Sequence, residues 1–150
     1  NADKPAITTD ELSARLEQFS PQSPLIKEAG LAAGSYGVCV SSAPLFGKKS
    51  LLYPACNFVM GTDTFTRVIN PKYYSNSHSE MVATLAAMNA RGVAVYVGGR
   101  VTDGGSFSTM ESSMADTSPL PGAVRDMFKG IPEDSFRVDI SSTELRAQRK

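Results

Sequence analysis

The chain has 150 residues, of which 41% are hydrophobic, and fifteen Lys and Arg residues balance fifteen Asp and Glu residues. This length is enough for one domain with a buried core and too short for two, and a formal net charge of zero gives no global attraction to nucleic acid or to an anionic membrane. No apolar run approaches the roughly 18 residues of a membrane span, so we expect a soluble protein without a membrane partner. Nucleic acid stays open as a partner, but the charge balance does not indicate it.

The amino-terminal part is predicted to contain a polar arm followed by one helix. Residues 1–7 are polar and are expected to form a flexible arm. A helix is predicted to begin at Thr9, because acidic residues fill its first turn and Leu12 and Leu16 recur at helical spacing. A proline-rich break follows, and residues 25–31 are expected to add one short helical turn.

Two β-prone runs come next, YGVCVSSA at 36–43 and LLYPACNFV at 51–59. The turn-like residues 44–49 between them favour an antiparallel hairpin. If that turn centres between Gly47 and Lys48, Cys39 and Cys56 lie opposite each other and a cross-strand disulfide is geometrically allowed. The alternative is two reduced, buried cysteines that act as small hydrophobic residues. A cytoplasmic location is favoured for the reduced form and a secreted one for the bridged form.

Residues 60–76 form a long predicted connection that is rich in Thr, Asn and Tyr. Loops of this length in a small domain often bind ligands. Tyr73 and Tyr74, close to the end of the connection, are therefore candidate ligand contacts.

The clearest helix and the clearest strand follow each other. Ser77 and Glu80 have the spacing of a capping box, apolar residues then recur at the helical period, and Gly92 is a glycine stop. Residues 93–97 (VAVYV) are apolar on both faces, which is typical of a central strand covered by helices.

The remaining pattern predicts a loop over 98–118, a helix over 121–129, a strand over 136–140 and a basic terminal helix from Ser142. Strands alternate with helices after the hairpin. We therefore expect one α/β domain with three layers, in which helices cover both faces of a mixed central sheet opened by the antiparallel hairpin.

Three short stretches resemble motifs of the cytidine deaminase fold. They are Ala55-Cys56-Asn57, His78-Ser79-Glu80 and the sequence SPLPGAVR at 118–125. In that family a His-x-Glu motif and a later Pro-Cys-x-x-Cys motif hold zinc, the zinc activates water and the glutamate transfers protons. The resemblance implies that His78 is a metal ligand and that Glu80 is the general acid and base. It also implies that Asn57 contacts a sugar and that Arg125 is a ligand-binding residue.

The chain departs from this family where the two cysteines should stand, because Pro121 and Val124 occupy those positions. A catalytic zinc normally has three protein ligands, and His78 alone leaves two missing. We therefore expect no cofactor, and zinc only if other ligands exist. The resemblance then implies a divergent protein, alone or as a partner subunit, that binds a nucleoside, a nucleotide or an exposed base without zinc-dependent deamination.

Two alternatives remain open at this point. The first is an active hydrolytic deaminase that uses His78 and Glu80 with metal ligands of another kind. The second rests on a weaker resemblance to the receptor-binding subunits of AB-type bacterial toxins, which have a bridged hairpin, a helix and a strand like 92–97. It implies a secreted, glycan-binding homo-oligomer with a bond between Cys39 and Cys56.

Overall fold

A computed structural model describes residues 7–102, 105–115 and 119–137 of the chain. The helices are α1 (Thr9–Glu17), α2 (Pro24–Glu28), α3 (Phe46–Leu52), α4 (Thr62–Val68), α5 (His78–Ala90), α6 (Met110–Ala115) and α7 (Gly122–Arg125), with one turn of 3-10 helix at Pro71–Tyr73. The strands are β1 (Asn57–Gly61), β2 (Ala94–Gly98), β3 (Arg100–Val101), β4 (Phe107–Ser108) and β5 (Phe128–Ile131). The chain divides into two units, Asn1–Leu45 and Phe46–Lys150, and each is described by itself. The expectation of a single domain stays a prediction.

The first unit contains the two short helices expected there. A capping box fixes the start of α1: the Glu11 backbone N–H donates to Thr8 Oγ1 at 3.2 Å, and the Thr8 N–H donates to the Glu11 carboxylate at 3.1 Å. Ser23 caps α2 by accepting from the Ile26 N–H at 3.3 Å. Both helix predictions are confirmed, whereas the arm at 1–7 lies outside the described residues apart from Ile7, which is exposed.

The predicted hairpin is wrong. Most of the predicted turn and the first two residues of the second run form α3, and the first run, 36–43, contains no strand. Pro54 interrupts the second run, and the strand begins only at Asn57, because a proline removes a backbone donor from a sheet. Antiparallel pairing occurs instead in the second unit, in the separate two-stranded ribbon β3–β4.

The main sheet of the second unit has three parallel strands in the order β1-β2-β5. The β1–β2 register pairs Phe58 with Val95 and Met60 with Val97, and the β2–β5 register pairs Val95 with Phe128. Strands β1 and β2 are parallel because α4 and α5 return the chain to the end of the sheet at which β1 began. The predicted central position of β2 is confirmed.

One face of this sheet carries the core. Buried side chains of β1, β2 and β5 pack with Phe65 of α4, Leu85 of α5, Met110 of α6 and Val124 of α7 in a single cluster. The opposite face presents the register row Val59, Tyr96 and Lys129, of which Val59 is 72% exposed. In the described residues helices therefore cover one face only, and the expected third layer is not found there.

Helix α5 begins and ends where the sequence predicts, but only half of the predicted capping box forms, because the Ser77 N–H donates to Tyr74 O at 2.8 Å and not to Glu80. Ser77 Oγ accepts from the Glu80 N–H at 3.2 Å. At the other end the Val93 N–H donates to Met88 O at 3.3 Å and the Gly92 N–H to Asn89 O at 2.9 Å, with Gly92 at φ +74°. These two bonds form a Schellman motif, which needs a left-handed residue at the glycine position.

Three further predictions need correction. The connection 60–76 is largely helical, since α4 starts directly after β1 and a 3-10 turn follows. The predicted helix 121–129 stops at Arg125, because Phe128 pairs with Val95 and begins β5. The predicted loop 98–118 contains β3, β4 and α6. The predicted strand 136–140 and terminal helix mostly lie outside the described residues, and Phe136 and Arg137 are not in a strand.

The fold class is thus α/β, with a small parallel sheet and packed helices. The finer expectation, a mixed sheet with deaminase-like topology, is not confirmed by the three parallel strands. Within the described ranges, no helix is both long enough and apolar enough to cross a membrane.

Candidate functional site

Two glycines and an ion pair lie at the carboxyl edge of the parallel sheet. Gly61 pairs with Gly98 at the ends of β1 and β2. Asp63 and Arg100 each follow one of these glycines by two residues, and the Arg100 guanidinium forms an ion pair with the Asp63 carboxylate. Parallel strands bring their carboxyl ends to one edge, and ligands of open α/β sheets bind outside that edge.

An exposed aromatic ring lies at the same place. Phe136 is 50% exposed, and two of its ring carbons are 3.6 Å from where a Cβ of Gly98 would stand. A Cβ built at Gly61 would meet the carbonyl oxygen of Gly98, at 4.0 Å, and no closer atom. The ring therefore packs on the backbone of Gly98, which is buried, and half of the Phe136 surface stays accessible. We call the set Gly61, Asp63, Gly98, Arg100 and Phe136 the carboxyl-edge site.

The ribbon β3–β4 fixes how the chain leaves this site. Gly99 is buried, and a Cβ there would lie 2.5 Å from the Phe107 ring and 2.7 Å from the Ser108 carbonyl oxygen. The ribbon thus packs directly on the backbone of Gly99. The Arg137 guanidinium lies over the Phe107 ring at 5.4 Å from its centre, which ties the segment that carries Phe136 to the ribbon.

The first turn of α5 lies at the carboxyl edge as well. The Ala55 N–H, just before β1, donates to Arg91 O at 2.9 Å, so the end of α5 lies at the amino edge of the sheet. Helix α5 therefore runs antiparallel to the strands, and its first residue, His78, is at the opposite end. His78 and Glu80 are both exposed there.

The other two deaminase-like residues are at the amino edge. Asn57 begins β1 and is exposed, and Arg125 is exposed on α7. Helix α7 contacts the end of α5 through the Asn89 amide, which donates to Ala123 O at 3.1 Å. At a rise of about 1.5 Å per residue, α5 places His78 roughly 16 Å from Asn89 along its axis. The metal site that the resemblance implies would need His78 beside the 121–125 turn, and the structure places these two at opposite edges of the sheet.

The two candidate tyrosines precede α5. The Tyr74 hydroxyl donates to Val68 O at 2.7 Å, and burial raises the pKa of Tyr74 to about 12. This hydroxyl thus holds the 3-10 turn against the end of α4 rather than pointing to a ligand. Tyr73 is half-buried, with Lys72 Nζ 5.8 Å from its ring centre.

Cys39 and Cys56 are free and exposed. The hairpin that would place them opposite each other is not formed, so the geometric support for a disulfide is removed, and the alternative of buried cysteines is wrong. Across residues 7–102, 105–115 and 119–137, no cluster of three or more His, Cys, Asp and Glu side chains could hold a metal ion.

The sequence reasoning missed the carboxyl-edge site. Its signal is a glycine directly after each apolar strand with a charged residue two positions later, in Met60-Gly61-Thr62-Asp63 and in Val97-Gly98-Gly99-Arg100. That signal has meaning only when the two strands are known to be parallel neighbours. The predicted hairpin pairs β1 with the wrong segment, so the two strand ends are not expected to be neighbours.

The described part of the second unit is thus a parallel α/β layer with an open carboxyl edge. Comparison with protein-family models, with curated proteins and with solved structures gives no match.

Proposed function

We propose that this protein binds a nucleoside or nucleotide at the carboxyl-edge site. The observation that carries the proposal is the exposed Phe136 ring beside the paired glycines Gly61 and Gly98. A flat heterocyclic base stacks on an aromatic side chain, and such stacking is worth about 1–3 kcal/mol per base. The ring packs on the Gly98 backbone, and its exposed part is accessible to a base.

The charged pair beyond the glycines suits the remainder of such a ligand. The guanidinium of Arg100 can donate to hydroxyl or phosphate oxygens of the ligand, and the exposed Asp63 carboxylate pairs with it while no ligand is bound. The resemblance of His78-Ser79-Glu80 to a nucleoside-deaminase motif supports the same class of ligand. Zinc-dependent deamination is not part of the proposal, because Pro121 and Val124 stand where its two cysteine ligands would be.

Isothermal titration calorimetry tests the proposal. The protein is titrated with adenosine, cytidine and their 5′-monophosphates. We expect saturable binding of at least one of them, and Phe136→Ala should weaken it about tenfold or more, as the loss of one stacked base predicts. Phe136→Tyr keeps the ring and should retain binding. Leu51→Ala removes an exposed apolar side chain from α3 and is the matched control.

Two results would overturn the proposal. One is the absence of binding by all four compounds to the folded wild-type protein. The other is binding that Phe136→Ala and Leu51→Ala leave equally unchanged, since the ring would then have no part in it.

A further inference from the structure

We infer that Arg100 binds a phosphate group of the ligand, and that Asp63 occupies its guanidinium until the phosphate displaces the carboxylate. This inference rests on the proposed function for the place of binding. It goes further by selecting nucleotides over nucleosides and by naming the residue that discriminates between them.

The two partners of the ion pair differ in how firmly they are held. The Arg100 side chain is 32% exposed, whereas that of Asp63 is 66% exposed. Arg100 is also tied to the ribbon, because its Nε donates to Val101 O at 3.3 Å. The cation is therefore the fixed member of the pair, and the carboxylate is the member that a soluble anion can replace.

The exchange is energetically easy. An ion pair this exposed contributes about 0–1 kcal/mol, because water screens it and two side chains lose freedom to form it. A phosphate monoester carries about −1.5 to −2 charges at pH 7 and has three acceptor oxygens. A planar guanidinium binds phosphate oxygens through two parallel hydrogen bonds, so phosphate competes well with one exposed carboxylate.

The position of Arg100 fits the rest of the ligand. Phe136 lies against Gly98, and Arg100 follows Gly98 by two residues, a Cα separation of at most about 7 Å. A base stacked on Phe136 therefore has its 5′ substituent within reach of the guanidinium. Asp63 follows the neighbouring strand, so the ion pair connects the ends of β1 and β2 while no ligand is bound.

Titration of nucleosides against their 5′-monophosphates tests the inference, with Arg100→Gln and Asp63→Asn as the variants. In the wild-type protein we expect each monophosphate to bind about tenfold more tightly than its nucleoside, the effect of one charge-assisted contact. Arg100→Gln should abolish this difference, and Arg100→Lys should restore part of it. Asp63→Asn removes the competing carboxylate and should tighten monophosphate binding several-fold without changing nucleoside binding.

Arg125→Gln and Asp126→Asn are the matched controls, since they make the same charge changes at exposed positions at the other edge. Both should leave the ratio of monophosphate to nucleoside affinity unchanged. Thermal unfolding of every variant checks that it is folded.

The outcomes separate the inference from the proposed function. If no compound binds, the proposed function fails and the inference fails with it. If nucleosides and monophosphates bind equally and Arg100→Gln changes neither, the inference alone is overturned. If Asp63→Asn weakens both ligand classes alike, Asp63 is itself a ligand contact and displacement by phosphate is contradicted.

Discussion

Gly61 and Gly98 lie opposite each other at the point where two neighbouring parallel strands end. Neither residue has a side chain to fill the edge, and the chain continues from each to one member of the Asp63–Arg100 ion pair. The backbone therefore leaves two adjacent strand ends without side chains and places a positive and a negative group beside them. This relationship is the physical basis of the binding site proposed above.

Residues at the amino edge should not take part in ligand binding. Asn57→Ala and Arg125→Ala change exposed side chains at the end of the sheet opposite to the carboxyl-edge site. We expect both variants to bind nucleosides and nucleotides with affinities within about twofold of the wild-type protein, measured by calorimetry. A tenfold loss in either variant would favour the arrangement implied by the deaminase resemblance.

Gly99→Ala should destabilise the protein because the added methyl group has no room. The new Cβ would lie 2.5 Å from the Phe107 ring and 2.7 Å from a backbone oxygen. Overpacking of this kind typically costs about 1–3 kcal/mol. Urea unfolding measures the loss.

Gly122→Ala is the control, because a Cβ there has no neighbour within 4 Å, and it should leave stability unchanged or slightly raised. Equal stability of the two variants would contradict the packing of the ribbon on Gly99.

The close contact between α3 and α5 predicts that Gly47→Ala changes the free energy of unfolding in opposite directions, depending on the side chain at position 84. A Cβ at Gly47 would lie 2.7 Å from Thr84 Cγ2, which is too close for two carbon atoms, so α3 or the Thr84 side chain would have to move. Gly47→Ala should therefore destabilise the wild-type protein, although alanine is the better helix former by about 1 kcal/mol.

In a Thr84→Ser background the obstructing methyl group is absent, and Gly47→Ala should then stabilise the protein. A double-mutant cycle in urea measures both effects. The same sign in both backgrounds would show that the two helices do not approach each other this closely.

Tyr74 should make stability fall at alkaline pH. Burial raises its pKa from the ordinary 10.0 to about 12. Between these values the native state keeps the proton that the unfolded state has lost, so the free energy of unfolding decreases as the pH rises. Below pH 10 the contribution of protonated Tyr74 to the free energy of unfolding is fully present.

Tyr74→Phe removes the titrating group together with its hydrogen bond to Val68 O. At pH 8 the variant should be less stable by about 0.5–1.5 kcal/mol, the net value of one hydrogen bond. Between pH 10 and 12 the difference should shrink, because only the wild-type protein loses this contribution. Urea unfolding of both proteins at pH 10 and pH 12 measures this change. A constant difference in stability would mean that Tyr74 has the same pKa in the native and unfolded states.

The elements predicted correctly are those whose signals are local. Helix α5 has a capping serine, an apolar face and a terminal glycine, and β2 is an unbroken apolar run directly after it. Each of these features acts within a few residues, so the sequence alone is sufficient to place both elements. Helix α1 also has local signals, which are acidic residues in its first turn and leucines at helical spacing.

The hairpin prediction failed because strand pairing is not local. Both runs have β-forming residues, but Pro54 interrupts the second, and the lysines and leucines around Ser50 form a helix whose Phe46 packs edge-on against Phe58 at 5.3 Å. The true partner of β1 is β2, which comes more than thirty residues later. The candidate site depends on that pairing, since Asp63 and Arg100 meet only when β1 and β2 are parallel neighbours.

The most direct test of the carboxyl-edge site is a two-dimensional NMR titration of the 15N-labelled protein with a nucleoside 5′-monophosphate. We expect the largest amide shift changes in Gly61–Asp63, Gly98–Arg100 and Phe136, with little change in Asn57 and Gly122–Arg125. Changes concentrated at the second group, or no changes at saturating nucleotide, would contradict the account.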